Sequence, residues 1–121
     1  MLKKHIKATN IELTDAIREY VEKKIDSLLK FIKEDEEVLA EIEVGKTTHH
    51  HHKGDVFRAE VNVTFGEKRF RSVVVEDDLY KAIDMMKDGI VREVTNSKNK
   101  KSDLLRRGKQ KIKDLLKSLR R

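Results

Sequence analysis

Apolar residues in this chain switch period twice, and the switches divide it into helix, sheet and helix. Across residues 10–34, Ile17, Tyr20, Val21, Ile25, Leu28, Leu29 and Ile32 recur at three- and four-residue spacing, the stripe of an amphipathic helix. Thr14 is placed to cap its first turn, and Asp15 sits where the helix dipole favours an acid. From residue 38 the period becomes two. Ala40, Ile42 and Val44 alternate with Leu39, Glu41 and Glu43; Phe57, Ala59, Val61, Val63 and Phe65 alternate with Arg58, Glu60, Asn62 and Thr64. Gly66 and Glu67 then turn the chain into a further strand, with Phe70, Ser72 and Val74 against Arg69, Arg71, Val73 and Val75. Helical spacing returns with Leu79, Ala82, Ile83, Met86, Ile90 and Val94, capped by Asp77 or Asp78. A short alternating run before the first helix, Leu2, Lys4, Ile6 and Ala8 against Lys3, His5, Lys7 and Thr9, supplies one more strand.

The resulting order is β-α-β-β-β-α. A strand–helix–strand unit within one sheet pairs its strands in parallel, whereas strands joined by tight turns pair antiparallel. The expected fold class is therefore α+β: a two-layer sandwich of a four-stranded mixed sheet with two helices on one face. The other sheet face would be open to water, with Lys3, Lys7, Arg58, Arg69 and Arg71 among Glu41, Glu43 and Glu60. Gly89 falls inside the second helix, where it costs about 1 kcal/mol relative to Ala and either permits close packing or weakens the helix.

A basic tail follows. Residues 98–121 hold eleven Lys or Arg against two Asp, a balance of +9, while residues 1–97 hold 17 bases and 20 acids. The net charge of +6 thus belongs to the end of the chain. Leu104, Leu105, Ile112, Leu115, Leu116 and Leu119 give this tail a faint helical stripe that Gly108 is expected to break. The division is an α+β domain over residues 1–101 and a basic extension over 102–121, flexible or helical. Such an arm on a near-neutral domain points to a polyanion. An anionic membrane fits less well, because the stripe has leucines but no Trp or Phe to seat at an interface.

Other chemistries find little footing. With no Cys there is neither a disulfide nor a thiolate metal site, consistent with a reducing, cytoplasmic setting. No apolar run approaches a membrane span, and the N-terminus lacks the apolar core of a signal peptide. No nucleophile elbow, phosphate-cradling glycine loop or HExxH motif is present, so neither enzyme activity nor a cofactor is expected. His49–His52 could bind a transition metal, yet they lie in a strand connection where nothing fixes a tetrahedron. Native loop composition explains them more simply, with an inserted tag as a further alternative. Of the few aromatics the core claims most, so contacts to nucleic acid should rest on backbone and shape rather than base stacking.

Several stretches together resemble one family. TDAIREYVEKKIDSLLKF at residues 14–31, VFRAEVNVTF at 56–65 with the strand after it, and EDDLYKAID at 76–84 are similar to segments of the ribosome hibernation promoting factors, also called ribosome-associated translation inhibitors. The likeness covers residues 2–101 in the same element order. It implies a protein that binds the decoding region of the small ribosomal subunit, blocks mRNA and tRNA, and inhibits translation in idle cells. By position, Lys23 and Lys24 match a basic pair on the first helix of the family. Arg92 matches an Arg on its second helix, and Lys98, Lys100 and Lys101 match that helix's basic end. Gly89 and Asn96 stand where many members carry Lys. The length implies a short form without the added dimerising domain, monomeric off the ribosome.

The candidate RNA-binding residues are Lys23, Lys24 and Lys30 on the first helix, Arg69 and Arg71 on the last strand, and Lys87, Arg92, Lys98, Lys100 and Lys101 on the second helix. Arg106, Arg107, Lys109 and Lys111 on the tail, running on to Lys113, complete the set. Each phosphate they neutralise would release counterions, giving salt-sensitive affinity. They are expected to converge on one continuous positive surface. A general structured-RNA-binding module, or a metal-responsive interaction protein using the histidines, are the alternatives.

Overall fold

The computed structural model describes residues 1–32, 37–47, 54 and 56–119, with the side chains of 98–106 and 118 outside that description. The elements are β1 (Leu2–Thr9), α1 (Asp15–Asp26) with a 3₁₀ turn at Ser27–Phe31, β2 (Val38–Thr47), β3 (Val56–Phe65), β4 (Lys68–Glu76) and α2 (Leu79–Leu119). The sheet order is β1-β2-β3-β4. β1 pairs in parallel with β2, Leu2 opposite Val38 and Thr9 opposite Gly45. The other two pairings are antiparallel, with Val38 opposite Phe65 and Phe65 opposite Lys68. This is the α+β order that the periodicity implies. His49–His52 lie outside the described residues.

Period two explains which sheet face is apolar. Ala40, Ile42, Val44, Ala59, Val61 and Val63 are all buried on one side, and there they meet Val21, Ile25 and Leu28 together with Ala82, Ile83, Met86, Ile90 and Val94. Both helices are fixed at their starts by side-chain caps. Thr14 Oγ1 accepts from the Ile17 N–H at 3.2 Å, and Asp78 Oδ1 accepts from the Lys81 N–H at 2.9 Å. Gly66 takes φ +59° in the β3–β4 turn, a conformation that a residue with a Cβ rarely adopts.

Gly89 marks the closest approach of α2 to the sheet. A Cβ there would come within 2.5 Å of Ser72 Oγ. The small pair Ser72–Gly89 therefore lets the helix lie against β4, which settles the question its position raised in favour of close packing.

Two expectations need correction. The stripe reaches Ile32, which is buried, but not as one α-helix: the backbone tightens to 3₁₀ at Ser27, whose hydroxyl donates to the Lys24 carbonyl at 2.6 Å. At three residues per turn rather than 3.6, the tightened turn keeps Leu28 in the core but leaves Leu29 40% exposed. The second correction concerns Gly108. It does not break the tail helix; α2 continues through it for 41 residues to Leu119. A single glycine costs only about 1 kcal/mol, and the Leu, Arg, Lys and Gln around it are strong helix formers.

Candidate nucleic-acid interface

The open sheet face shows how the pairing register distributes charge. Reading across the strands, Lys3, Leu39, Thr64 and Arg69 form one row, and His5, Glu41, Asn62 and Arg71 form the next. Lys7, Glu43, Glu60 and Val73 follow. In these three rows the acids fall on the two central strands and the Lys and Arg on the edges. Glu60 takes Arg71, whose Nε donates to Oε1 at 2.7 Å, and Arg58, whose Nη1 lies 3.4 Å from Oε2. Partial burial alone would raise the Glu60 carboxyl, but the Arg71 hydrogen bond and the charge of Arg58 outweigh it and hold it below the usual range. Arg71 is thus committed within the domain. Arg69 is exposed on the same face.

The helical layer has a second paired cluster. Tyr20 and Tyr80 meet edge to face at 4.9 Å between ring centroids, joining α1 to α2. The Tyr20 hydroxyl donates to Asp84 Oδ1 at 2.5 Å, and Lys24 Nζ lies 3.1 Å from the same oxygen and 5.3 Å from the Tyr20 ring centroid. The Tyr20 hydrogen bond, joined by that from Lys24, holds the Asp84 carboxyl below its ordinary value against the opposing pull of partial burial. The same bond raises the Tyr20 phenol, and the hydrogen bond to Asp84 raises the Lys24 ammonium. One turn on, Lys87 pairs with Asp88 at 3.5 Å. At the far end of α1, Lys4 of β1 reaches Asp26 at 2.6 Å.

The candidate residues therefore do not converge on one surface. Arg69 and Arg71 face away from the helices, because their neighbours Phe70, Ser72 and Val74 point into the core. Lys24 and Lys87 sit beside the helix–helix contact but share it with Asp84 and Asp88. Lys23, Lys30 and Arg92 are exposed, with no acidic partner among the described residues. Lys98, Lys100, Lys101 and Arg106 lie on the backbone of α2.

What remains is the C-terminal half of α2. Arg107, Lys109, Lys111, Lys113 and Lys117 are exposed, again with no acidic partner among the described residues. Asp114, the acid in their midst, accepts from Gln110 Nε2 at 3.1 Å. Lys117 stands outside the candidate set although the same charge run includes it; the inter-helix pairing of Asp84 was also missed. The only sequence hint of that pairing was Tyr20 and Lys24 one turn apart on α1. The arrangement can bind phosphates along an arm, through charge and without base stacking.

Residues 5–102 match the model of the Sigma 54 modulation protein / S30EA ribosomal protein family. The chain belongs to this family. It is 33% identical over 100 residues to a ribosome hibernation promotion factor of Lactococcus lactis, a match covering 83% of this chain and 51% of that protein. A Bacillus subtilis protein of the same name is 30% identical over 96 residues, 79% of this chain and 48% of its own length. The chain thus spans about half the length of the curated relatives it matches. Among solved structures, the N-terminal domain of Thermus thermophilus Protein Y superposes with a TM-score of 0.65 at 32% identity, covering 78% of this chain and 96% of that one. A ribosomal subunit interface protein from Coxiella burnetii, 17% identical, shares the fold with a TM-score of 0.60, covering 82% of this chain and 99% of that one. The S30EA match ends at residue 102, so the cations that follow are additional to the matched domain.

Proposed function

We propose that this protein is a hibernation factor that binds ribosomal RNA in the decoding region of the small subunit. There it occupies the path of mRNA and tRNA and inhibits translation in idle cells. It acts in the cytoplasm by occupancy rather than catalysis, and is monomeric off the ribosome. Membership of a ribosomal protein family supports the target. The observation that carries the mechanism is the contrast in pairing: several of the domain's cations, Lys24, Arg71 and Lys87 among them, are held by its own carboxylates, while Arg107, Lys109, Lys111, Lys113 and Lys117 of the α2 arm have no acidic partner among the described residues. The arm then supplies a run of free cations for counterion release, and the domain supplies shape together with its own exposed cations.

Competition on isolated small subunits tests the target: mRNA with tRNA should displace the protein, and the protein should displace them. Binding to generic duplex RNA as tightly as to subunits would instead support a general structured-RNA module. Removing residues 102–121 tests the arm, because the last core residue among those described is Val94. Affinity should fall and the log–log salt slope should shrink by ~0.7–0.9 per cation lost from contact. An unchanged slope would leave the arm with no binding role.

A further inference from the structure

The arm carries an apolar stripe that phosphate binding does not use. Beyond Val94, α2 extends 25 residues to Leu119, roughly 37 Å at 1.5 Å per residue. Ile112, Leu115, Leu116 and Leu119 are 60%, 65%, 54% and 81% exposed. At 100° per residue they fall within an arc of about 100°, and Gly108 lies in the same arc. Lys109 borders the arc on one side and Lys111 on the other, while Gln110 and Asp114 lie opposite, bonded to each other. RNA would satisfy the cations and leave the aliphatic side chains in water. A second copy would cover the stripe but bring two segments of +9 within a Debye length of about 8–10 Å. An anionic bilayer surface meets both demands, with aliphatic groups seated at the acyl boundary and the flanking lysines snorkelling to headgroups.

We propose that the C-terminal half of α2 is an interfacial helix that docks this protein on anionic membrane surfaces. The lack of Trp and Phe sets the character of the docking rather than forbidding it. A few aliphatic side chains give weak, reversible attachment, so the lysines and negatively charged lipid are both required. The unbroken helix is what makes this possible, since it runs through Gly108 and holds Lys109, Lys111 and the four aliphatic residues in one register. The inference rests on the aliphatic stripe, not on the ribosomal reading, and either can fail without the other.

The test uses the full chain and flotation with vesicles of phosphatidylglycerol and phosphatidylcholine in equal parts, against pure phosphatidylcholine, near 0.15 M salt. At least tenfold stronger binding to the anionic vesicles is expected. Leu115→Gln with Leu119→Gln, which preserves helix propensity, should lose at least tenfold in vesicle binding while ribosomal RNA binding stays within twofold. Leu115→Met with Leu119→Met should retain vesicle binding. Lys109→Gln with Lys111→Gln should weaken binding to both vesicles and RNA. Vesicle binding by the glutamine pair equal to wild type, or no wild-type binding to anionic vesicles, would overturn the proposal. So would a lipid-free dimer in sedimentation velocity that the Leu→Gln changes dissolve, because the stripe's occupant would then be a second copy.

Discussion

α2 is one helix with two environments. Over residues 79–97 its apolar face is roofed by the sheet, and two of its three cations have carboxylates at hand: Lys81 with Glu76 at 3.5 Å and Lys87 with Asp88 at 3.5 Å. Past residue 106 the same period continues with nothing over it among the described residues. Four large aliphatic side chains are exposed there, as are five cations without acidic partners among the described residues. Helical period announces that a face exists but does not say what covers it. In the first half the cover is intramolecular and the charge is partly neutralised; in the second neither finds a partner among the described residues.

The most severe way to break this contrast is to remove equivalent side chains from each half. Ile83→Ala should cost about 2–5 kcal/mol, because Ile83 is fully buried between helix and sheet and the surroundings relax only partly around a cavity. Leu115→Ala should stay within about 0.5 kcal/mol, as for a surface site. Urea unfolding followed by far-UV circular dichroism measures both. Comparable losses would mean that the arm belongs to the domain's cooperative unit.

The two glycines of α2 sharpen the comparison at the next level. Gly89→Val drives a branched side chain against Ser72, where even a Cβ would meet Oγ at 2.5 Å. A loss of about 1–3 kcal/mol is expected from overpacking. A Cβ at Gly108 would meet nothing within 4 Å, so Gly108→Ala should raise helicity by up to about 1 kcal/mol of helix stability and leave the domain's unfolding midpoint unmoved. The same residue type should thus respond with opposite sign in the two halves. A destabilising Gly108→Ala would show that the arm packs on something the contrast leaves out.

Much of this was legible in the sequence, for a physical reason that also sets the limit. Alternation over residues 38–76 names the inward side chain at every second position, so Val61, Val63 and Ser72 could be placed without coordinates. Thr14 and Asp78 announced the helix starts because capping is local chemistry. Leu29 failed because a turn of 3₁₀ helix changes the angle per residue without changing the composition. The charge surface failed for a different reason. A lysine's partner is set by tertiary register, and nothing local ties Lys24 to Asp84, about sixty residues away, or Arg71 to Glu60 across a strand pair. Counting cations therefore could not show which of the domain's are paired within the fold, whereas along the arm helical spacing alone fixes the geometry.

The smallest effect probes that tertiary pairing directly. The depressed Asp84 carboxyl and the raised Lys24 and Tyr20 groups all favour the fold at neutral pH. A carboxyl lowered on folding contributes stability above its unfolded value, near ~3.9, and loses it as pH falls through the lower folded value. The raised Lys24 and Tyr20 contribute below their unfolded values and lose it as pH climbs through the folded ones. Asp84→Asn should therefore flatten both the acid and the alkaline limbs of stability against pH, with only a small loss at pH 7 because the pair is solvent-screened. It also turns Lys24 into a cation without its internal partner, like those of the arm. Ribosomal RNA affinity at low salt should then rise slightly and its salt slope steepen by up to ~1. A steeper slope would show that intramolecular pairing keeps Lys24 out of the count, whereas an unchanged slope with a flattened pH profile would mean that this face of the domain never meets phosphate.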